Sequence, residues 1–277
     1  MQDATAVSRD AEPALSNDGP DGGDAHALSA LQRAVETGLI GHQPLVERLM
    51  IGLLTGGHLL IEGAPGLAKT RAVKRLADGL ESSFSRIQCT PDLMPADLTG
   101  TQVFRPEKGV FEFVQGPVFH SLVLVDEINR APPKVQSALL EAMAEGQVTA
   151  GGTTYALPDP FMVVATQNSI EHEGTFPLPE AQLDRFLMHV LVDMPDARSE
   201  LAILDLVERE ASGTEAAMPH PVTSAAIVAA RQAAAKVHLA PALKDYIVRL
   251  VMATREDQPA PDIRKAIEHP VSPRGTL

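Results

Sequence analysis

The sequence predicts an α/β fold: a parallel sheet of five strands, interrupted by two inserted hairpins and followed by a small all-helical unit. Three observations carry this expectation. Five strand-length stretches, at residues 58–62, 84–88, 122–127, 161–168 and 187–192, are spaced by helical periodicity or by hairpin turns. The first of them runs through a glycine-rich turn directly into a helix-compatible stretch. From Pro195 onward the pattern is helical only. A chain of 277 residues holds one large or two ordinary domains, and its 44% of hydrophobic residues can build a core.

Residues 1–26 are rich in Asp, Ala, Gly, Ser and Pro without an apolar period, which predicts a disordered acidic tail. Leu28, Leu31, Ala34 and Val35 then fall at helical spacing, and Leu45, Leu49, Met50 and Leu53 repeat it before Gly56-Gly57 breaks it. Two helices therefore precede the first strand. The Gly41-His42 turn between them either borders a base pocket or is a plain helix junction.

The stretch His58-Leu59-Leu60-Ile61-Glu62-Gly63-Ala64-Pro65-Gly66-Leu67-Ala68-Lys69-Thr70 has the strand, loop and helix order of a phosphate-binding loop. Backbone N–H groups of such a loop converge on phosphate oxygens, and the helix N-terminus adds partial positive charge. Lys69 would reach the β- and γ-phosphates and the Thr70 hydroxyl would ligate Mg²⁺. The pattern departs from GxxxxGK[ST] at Ala68. That position opens the helix, so right-handed helical dihedrals, which an L-residue accepts, are expected there.

A helix over 69–80 and a second strand over 84–88 follow. Residues 101–105 and 110–115 flank Pro106-Glu107-Lys108-Gly109, a hairpin that is either an insertion protruding from the core or an ordinary edge hairpin. Residues 122–125 are a continuous apolar run ending in Asp126 and Glu127, as in a central strand covered on both faces. Ligands collect at the C-terminal ends of such strands. With the phosphate loop upstream, Asp126 would hold Mg²⁺ and Glu127 would polarise the attacking water. By itself the pair would read as a solvated strand end.

Asn129-Arg130-Ala131-Pro132-Pro133 leads into a helix over 134–145, with proline where its missing N–H is harmless. A second hairpin pairs 147–150 with 153–157 about Gly151-Gly152. The strand over 161–168 ends in Asn168, whose amide would orient the attacking water or the γ-phosphate; a strand-terminating Asn is the competing reading. A loop and short helix over 173–186 carry Arg185, and a fifth strand covers 187–192. Helices over 196–210, 223–236 and 240–254 complete the pattern, separated by Ser212-Gly213 and Leu239-Ala240-Pro241.

Composition excludes several classes. A formal charge of −13 repels a polyphosphate backbone, and with 4% aromatic residues and no basic run the chain lacks a nucleic-acid face. The single cysteine, Cys89, cannot form an internal disulfide. No stretch approaches the roughly 18 consecutive apolar residues of a membrane span, and the acidic N-terminus is unlike a signal peptide. No stable membrane insertion and a cytoplasmic location are expected.

Together, Gly63-Ala-Pro-Gly-Leu-Ala-Lys-Thr70, Thr90-Pro-Asp-Leu-Met-Pro-Ala-Asp-Leu-Thr-Gly100, Asp126-Glu-Ile-Asn-Arg-Ala-Pro-Pro133, Ala165-Thr-Gln-Asn168 and Glu173-Gly-Thr-Phe-Pro-Leu-Pro-Glu-Ala-Gln-Leu-Asp-Arg-Phe186 closely resemble the MoxR group of AAA+ ATPases, over roughly residues 28–277. The resemblance implies an AAA+ P-loop core over 27–194 and a helical lid over 195–277, incomplete at its C-terminus. By it, Gly63, Ala64, Pro65, Gly66, Leu67, Ala68, Lys69 and Thr70 belong to Walker A and Asp126 and Glu127 to Walker B. Asn168 corresponds to sensor 1, Arg185 to an arginine finger acting on a neighbouring subunit, and Arg274 to sensor 2. Arg274 alone would read as a residue near a helix start. The two hairpins correspond to the helix-2 and pre-sensor-1 inserts, which are associated with loops facing a ring's central pore.

The implied activity is hydrolysis of ATP to ADP and phosphate with Mg²⁺, in a homo-oligomeric, hexameric ring that remodels or matures client proteins. A partner with a von Willebrand factor A domain is implied. A nucleotide-gated binding module with negligible turnover is the alternative, and a nucleic-acid motor built from the same parts is disfavoured by the charge.

Overall fold

The computed structural model describes residues 22–169, 174–213, 218, 220–256, 261–267 and 270–276. Two helices, α1 (Gly22–Thr37) and α2 (Gln43–Thr55), precede strand β1 (Leu59–Gly63), as the spacing of leucines predicts. Helix α1 starts before the expected position. Of the acidic tail expected over 1–26, residues 1–21 lie outside the described residues, while 22–26 are helical. Asp24 in the first turn complements the helix dipole, and Leu28, about one turn further on, is buried in the core.

The phosphate loop leads into α3 (Lys69–Asp78), followed by β2 (Phe84–Gln88) and a short α4 (Pro95–Thr99), which the periodicity does not reveal. Strands β3 (Gly100–Arg105) and β4 (Val110–Gln115) form the first hairpin. Its base closes on two glycines: a Cβ on Gly116 would lie 2.2 Å from the Leu98 carbonyl oxygen, and Gly100 has φ +93°. Strand β5 (Leu122–Asp126), α5 (Pro133–Glu145), the second hairpin of β6 (Gln147–Ala150) and β7 (Thr153–Ala156), and β8 (Met162–Gln167) come next. Then α6 (Glu180–Leu183) and β9 (Met188–Val192) complete the α/β part.

Five strands form one parallel sheet in the order β2-β5-β8-β1-β9. Alternate residues of the central strands enter opposite cores. Leu59, Ile61, Leu122, Leu124, Met162 and Val164 pack with α1, α2 and α3. Leu60, Val123, Val125, Val163 and Ala165 pack with Val135, Leu139 and Leu140 of α5 on the other face. This is why the central strands read as unbroken apolar runs.

The C-terminal part is helical: α7 (Ala197–Ala211), α8 (Ser224–Ala235), α9 (Pro241–Arg255) and α10 (Pro261–Ala266). Its attachment runs through α8. Val222, Ala226 and Ile227 belong to the same buried cluster as Leu59 and Ile61. The backbone joins there too, with Glu81 N–H donating to the Val222 carbonyl at 2.8 Å and Val222 N–H to the Gly79 carbonyl at 2.9 Å. Arg231 adds a strap from α8, its Nε donating to the Leu53 carbonyl at 2.8 Å.

Candidate functional site

Three adjacent strands bring the site together. The loop after β1, the end of β5 and the end of β8 all open at the C-terminal edge of the sheet, where ligands of such folds are bound. Gly66 has φ +85°, and a Cβ there would meet open space, so the glycine serves the backbone path of the loop. Ala68 departs from the expectation of right-handed dihedrals. It is left-handed, with φ 53° and ψ 17°, because α3 begins only at Lys69 and Ala68 is its cap. A methyl group is small enough to sit there at a strain of about 1–2 kcal/mol.

Lys69 is buried, and its ammonium lies on carbonyl oxygens of the loop. It donates to Gly63 O, to Ala64 O at 3.2 Å, to Gln167 O at 3.4 Å and to Asn168 Oδ1 at 3.0 Å. Asp126 is also buried. Its Oδ1 accepts from Thr70 Oγ1 at 3.1 Å and Thr166 Oγ1 at 3.0 Å, and its Oδ2 accepts from Arg86 Nε at 2.7 Å. Glu127 is held by three side chains: Asn168 Nδ2 donates to Oε1 at 3.0 Å, while Gln88 Nε2 at 3.0 Å and Arg130 Nη1 at 3.1 Å donate to Oε2. Its backbone is left-handed, φ 57° and ψ 52°, and its N–H donates to Thr166 Oγ1 at 3.0 Å. Such strain gathers at functional positions that their surroundings over-determine.

Asn168 thus bridges the lysine to the glutamate, and Thr166 bridges the two acidic residues. Lys69, Thr70, Asp126, Glu127 and Asn168, predicted from motifs far apart in sequence, line one cleft of about 350 Å³. Arg86, Gln88, Thr166 and Arg130 are site residues to which the sequence reading gave no role. Arg86 and Gln88 alternate along an edge strand, a pattern that ordinarily marks a solvated face.

A second pocket of about 460 Å³ adjoins the cleft and shares residues 65–68 and Arg71 with it. Its walls are more apolar, with Leu39, Ile40 and His42 on one side and Met194, Ile203 and Val207 on the other. Of the Gly41-His42 turn, His42 borders the pocket, and burial holds its pKa below the ordinary value. Arg71 ties α7 to the site by pairing with Glu210, which it holds below the usual carboxylate range. Cys89 lies beneath the acidic pair, its N–H on the Asp126 carbonyl at 2.9 Å. Burial and the charges of Asp126 and Glu127 push its thiol up to about 12, so it is no nucleophile.

The donor set fits a magnesium-bound nucleotide. A threonine hydroxyl and a carboxylate are hard oxygen ligands, and Mg²⁺ is ordinarily held by one or two such groups plus substrate phosphates. Among the described residues no group of three or more His, Cys, Asp or Glu side chains could hold a metal alone.

Arg185 and Arg274 do not line this cleft. Arg185 is half-buried, and its Nη1 donates to the Leu140 carbonyl at 2.6 Å. Arg274 is exposed, with Nη1 3.7 Å from Asp184 Oδ2, and Ser272 Oγ donates to the other oxygen of Asp184. The fold therefore brings Arg274 to the residue next to Arg185.

The sequence profile of the ATPase family associated with various cellular activities (AAA) matches residues 58–188. Chaperone MoxR1 of Mycobacterium tuberculosis is 43% identical over 256 residues, which cover 92% of this chain and 67% of that protein. The uncharacterised protein YeaC of Bacillus subtilis is 40% identical over 264 residues, 92% of this chain and 77% of its own. A crystal structure of a candidate ATPase from Cytophaga hutchinsonii superposes with a TM-score of 0.79 at 41% identity, covering 91% of this chain and 78% of that one. With identities at this level across nine-tenths of its length, the chain belongs to the MoxR-type AAA+ ATPases.

Proposed function

We propose that this protein hydrolyses ATP to ADP and phosphate with Mg²⁺, in a ring of identical subunits whose motion remodels or matures client protein complexes. The observation that carries the reading is the hydrogen-bonded cluster of Lys69, Thr70, Asp126, Glu127 and Asn168 at the ends of three neighbouring strands. Lys69 binds the β- and γ-phosphates, exchanging loop carbonyls for phosphate oxygens. Residues 63–68 wrap the phosphates with backbone N–H groups, and the neighbouring apolar pocket takes the base. Thr70 and Asp126 would hold the magnesium ion, which would supply positive charge against the phosphates when bound. Glu127 polarises the attacking water and Asn168 orients it.

Arg185 completes the site of the next subunit, and its separation from its own cleft supports this reading. Arg274 senses the γ-phosphate from the helical lid and couples the lid's angle to nucleotide state. Residues 27–194 form the ATPase core and 195–277 the lid, with α8 as its anchor and the Arg71–Glu210 pair linking α7 to the nucleotide. The name of MoxR1 supports chaperone work on client proteins, and a partner with a von Willebrand factor A domain fits it. Among the described residues no helix is long and apolar enough to cross a membrane, and we place the protein in the cytoplasm.

Glu127→Gln tests the assignment. It should keep ATP binding within a few-fold while lowering turnover by about 10²-fold or more, measured by nucleotide titration and phosphate release. Turnover like that of the parent would remove Glu127 from the mechanism. One observation favours the second reading, a nucleotide-gated binding module: both Glu127 oxygens are engaged by Gln88, Arg130 and Asn168. Phosphate release under conditions that promote assembly separates the two readings.

A further inference from the structure

Asp126 already carries a positive partner. Strand β2 is the sheet edge beside β5, and its register sets Gln88 opposite Asp126. Two residues back along the same strand, Arg86 shares the face of Gln88 and reaches Asp126, while Gln88 reaches Glu127. Its Nε donates to Asp126 Oδ2 at 2.7 Å, although the arginine side chain is 53% exposed and the aspartate only 6%. Thr166 takes the other aspartate oxygen, and the Thr70 hydroxyl lies between the two, 3.1 Å from Oδ1 and 3.3 Å from Oδ2; both partners are neutral. A carboxylate this deeply buried is costly without a positive partner, and Arg86 provides one.

We infer that Arg86 is a stand-in for the metal: its guanidinium neutralises Asp126 while magnesium is absent, leaves Oδ2 when magnesium binds, and so sets the metal affinity of the site. This rests on the magnesium-nucleotide reading above. Two features make Arg86 the group that yields. A guanidinium within hydrogen-bond distance of Asp126 repels a divalent ion engaging the same carboxylate through Thr70 and Asp126. Arg86 also has somewhere to go, since half of its side chain is in water and its Nη2 already lies 3.4 Å from Gln88 Oε1. Lys69 is placed differently, buried and directed at loop carbonyls and Asn168. Displacing Arg86 also disturbs Gln88, which holds Glu127 Oε2 at 3.0 Å, so arrival of the metal is coupled to the grip on the water-polarising carboxylate.

The test is a titration of Mn²⁺ into protein saturated with ADP, followed by electron paramagnetic resonance, a readout that needs no turnover. Arg86→Gln should bind Mn²⁺ about fivefold more tightly than the parent, the equivalent of one modest ion pair. Its melting temperature should fall without nucleotide and metal, and match the parent's with both. Arg86→Lys, which keeps the charge, should stay near the parent. Unchanged or weaker Mn²⁺ binding by Arg86→Gln overturns the inference. Crystal structures of the unaltered protein with ADP alone and with ADP and Mg²⁺ provide a check without any variant. Arg86 should sit on Asp126 in the first and away from it in the second, and a guanidinium still on Oδ2 beside the bound ion overturns the inference. Failure of the parent itself to bind Mn²⁺ with ADP is a separate result, seen before any variant is made, and overturns the magnesium-nucleotide reading together with this one.

Discussion

His58 shows how a residue at the far end of the strand that feeds the phosphate loop can serve the fold alone. It starts the run into β1, where its Nδ1 accepts from the Val163 N–H at 3.0 Å and its Nε2 donates to the Met143 carbonyl at 3.3 Å. The proton therefore sits on Nε2 of a neutral ring. Burial lowers its pKa to about 4, with the charge of Arg231 lowering it further and the Met143 carbonyl opposing. The unfolded chain takes up a proton near pH 6.5 and the folded protein does not until about pH 4, so this contribution is complete above 6.5 and is lost as pH falls toward 4. The loss between pH 7.5 and 5.0 should be about 2 kcal/mol. Urea denaturation at both pH values should show that much less pH dependence in His58→Gln than in the parent; equal slopes would remove the histidine from the acid response. At this scale the sequence was legible where motif spacing sets position: Lys69, Thr70, Asp126 and Glu127, far apart in the chain, line one cleft. It misled on Ala68, where helical dihedrals were expected and left-handed ones are found, because a residue type does not state its dihedrals; it was silent on Arg86 and Gln88, because polar alternation on an edge strand looks like a solvated face.

Turn chemistry made the two hairpins readable as elements. Gly109, Gly151 and Gly152 have φ of 64°, 57° and 79°, the left-handed values that tight hairpin turns need. Their mutual packing was not readable, since it joins residues more than 40 positions apart. Phe113 of the first hairpin stacks on Tyr155 of the second, with centroids 4.2 Å apart and planes at 19°, and Gly151 leaves room for Gln102. The two inserts therefore support each other. Phe104 and Phe111, 5.2 Å apart, remain 50% and 67% exposed, a surface suited to protein contact. Tyr155→Ala should cost the hairpins on the order of 1 kcal/mol of local stability. Hydrogen exchange read by mass spectrometry should show faster exchange across β3 and β4 with little change in β5 and β8. Unaltered protection in β3 and β4 would mean that the first hairpin stands without the second.

For the molecule as a whole, the strand count and the change to helices after Pro195 were legible from hydrophobic period. The docking of α8 among α1, α2 and the sheet was not, because a short run of alanines and one isoleucine carries no address. Much apolar surface is left uncovered in the single chain: Leu191 in β9, Leu201 and Leu204 along α7, and Leu243 and Leu250 on α9. Exposure on this scale marks association surfaces, and a ring of identical subunits would cover part of it. Such a ring would give Arg185 a use, since its own cleft does not contain it. Supplied across an interface, one arginine is worth about 10³- to 10⁵-fold in related phosphoryl transfers, so Arg185→Ala should bind ATP normally and turn over as poorly as Glu127→Gln. Mixing the two inactive variants then distinguishes the arrangements. If each site takes Glu127 from one subunit and Arg185 from the next, a random mixed ring regains intact interfaces, roughly a quarter of them at equal proportions. Phosphate release should rise from near zero to a measurable fraction of the parent rate on mixing, and a mixture as inactive as its components would place both residues in the same subunit's chemistry.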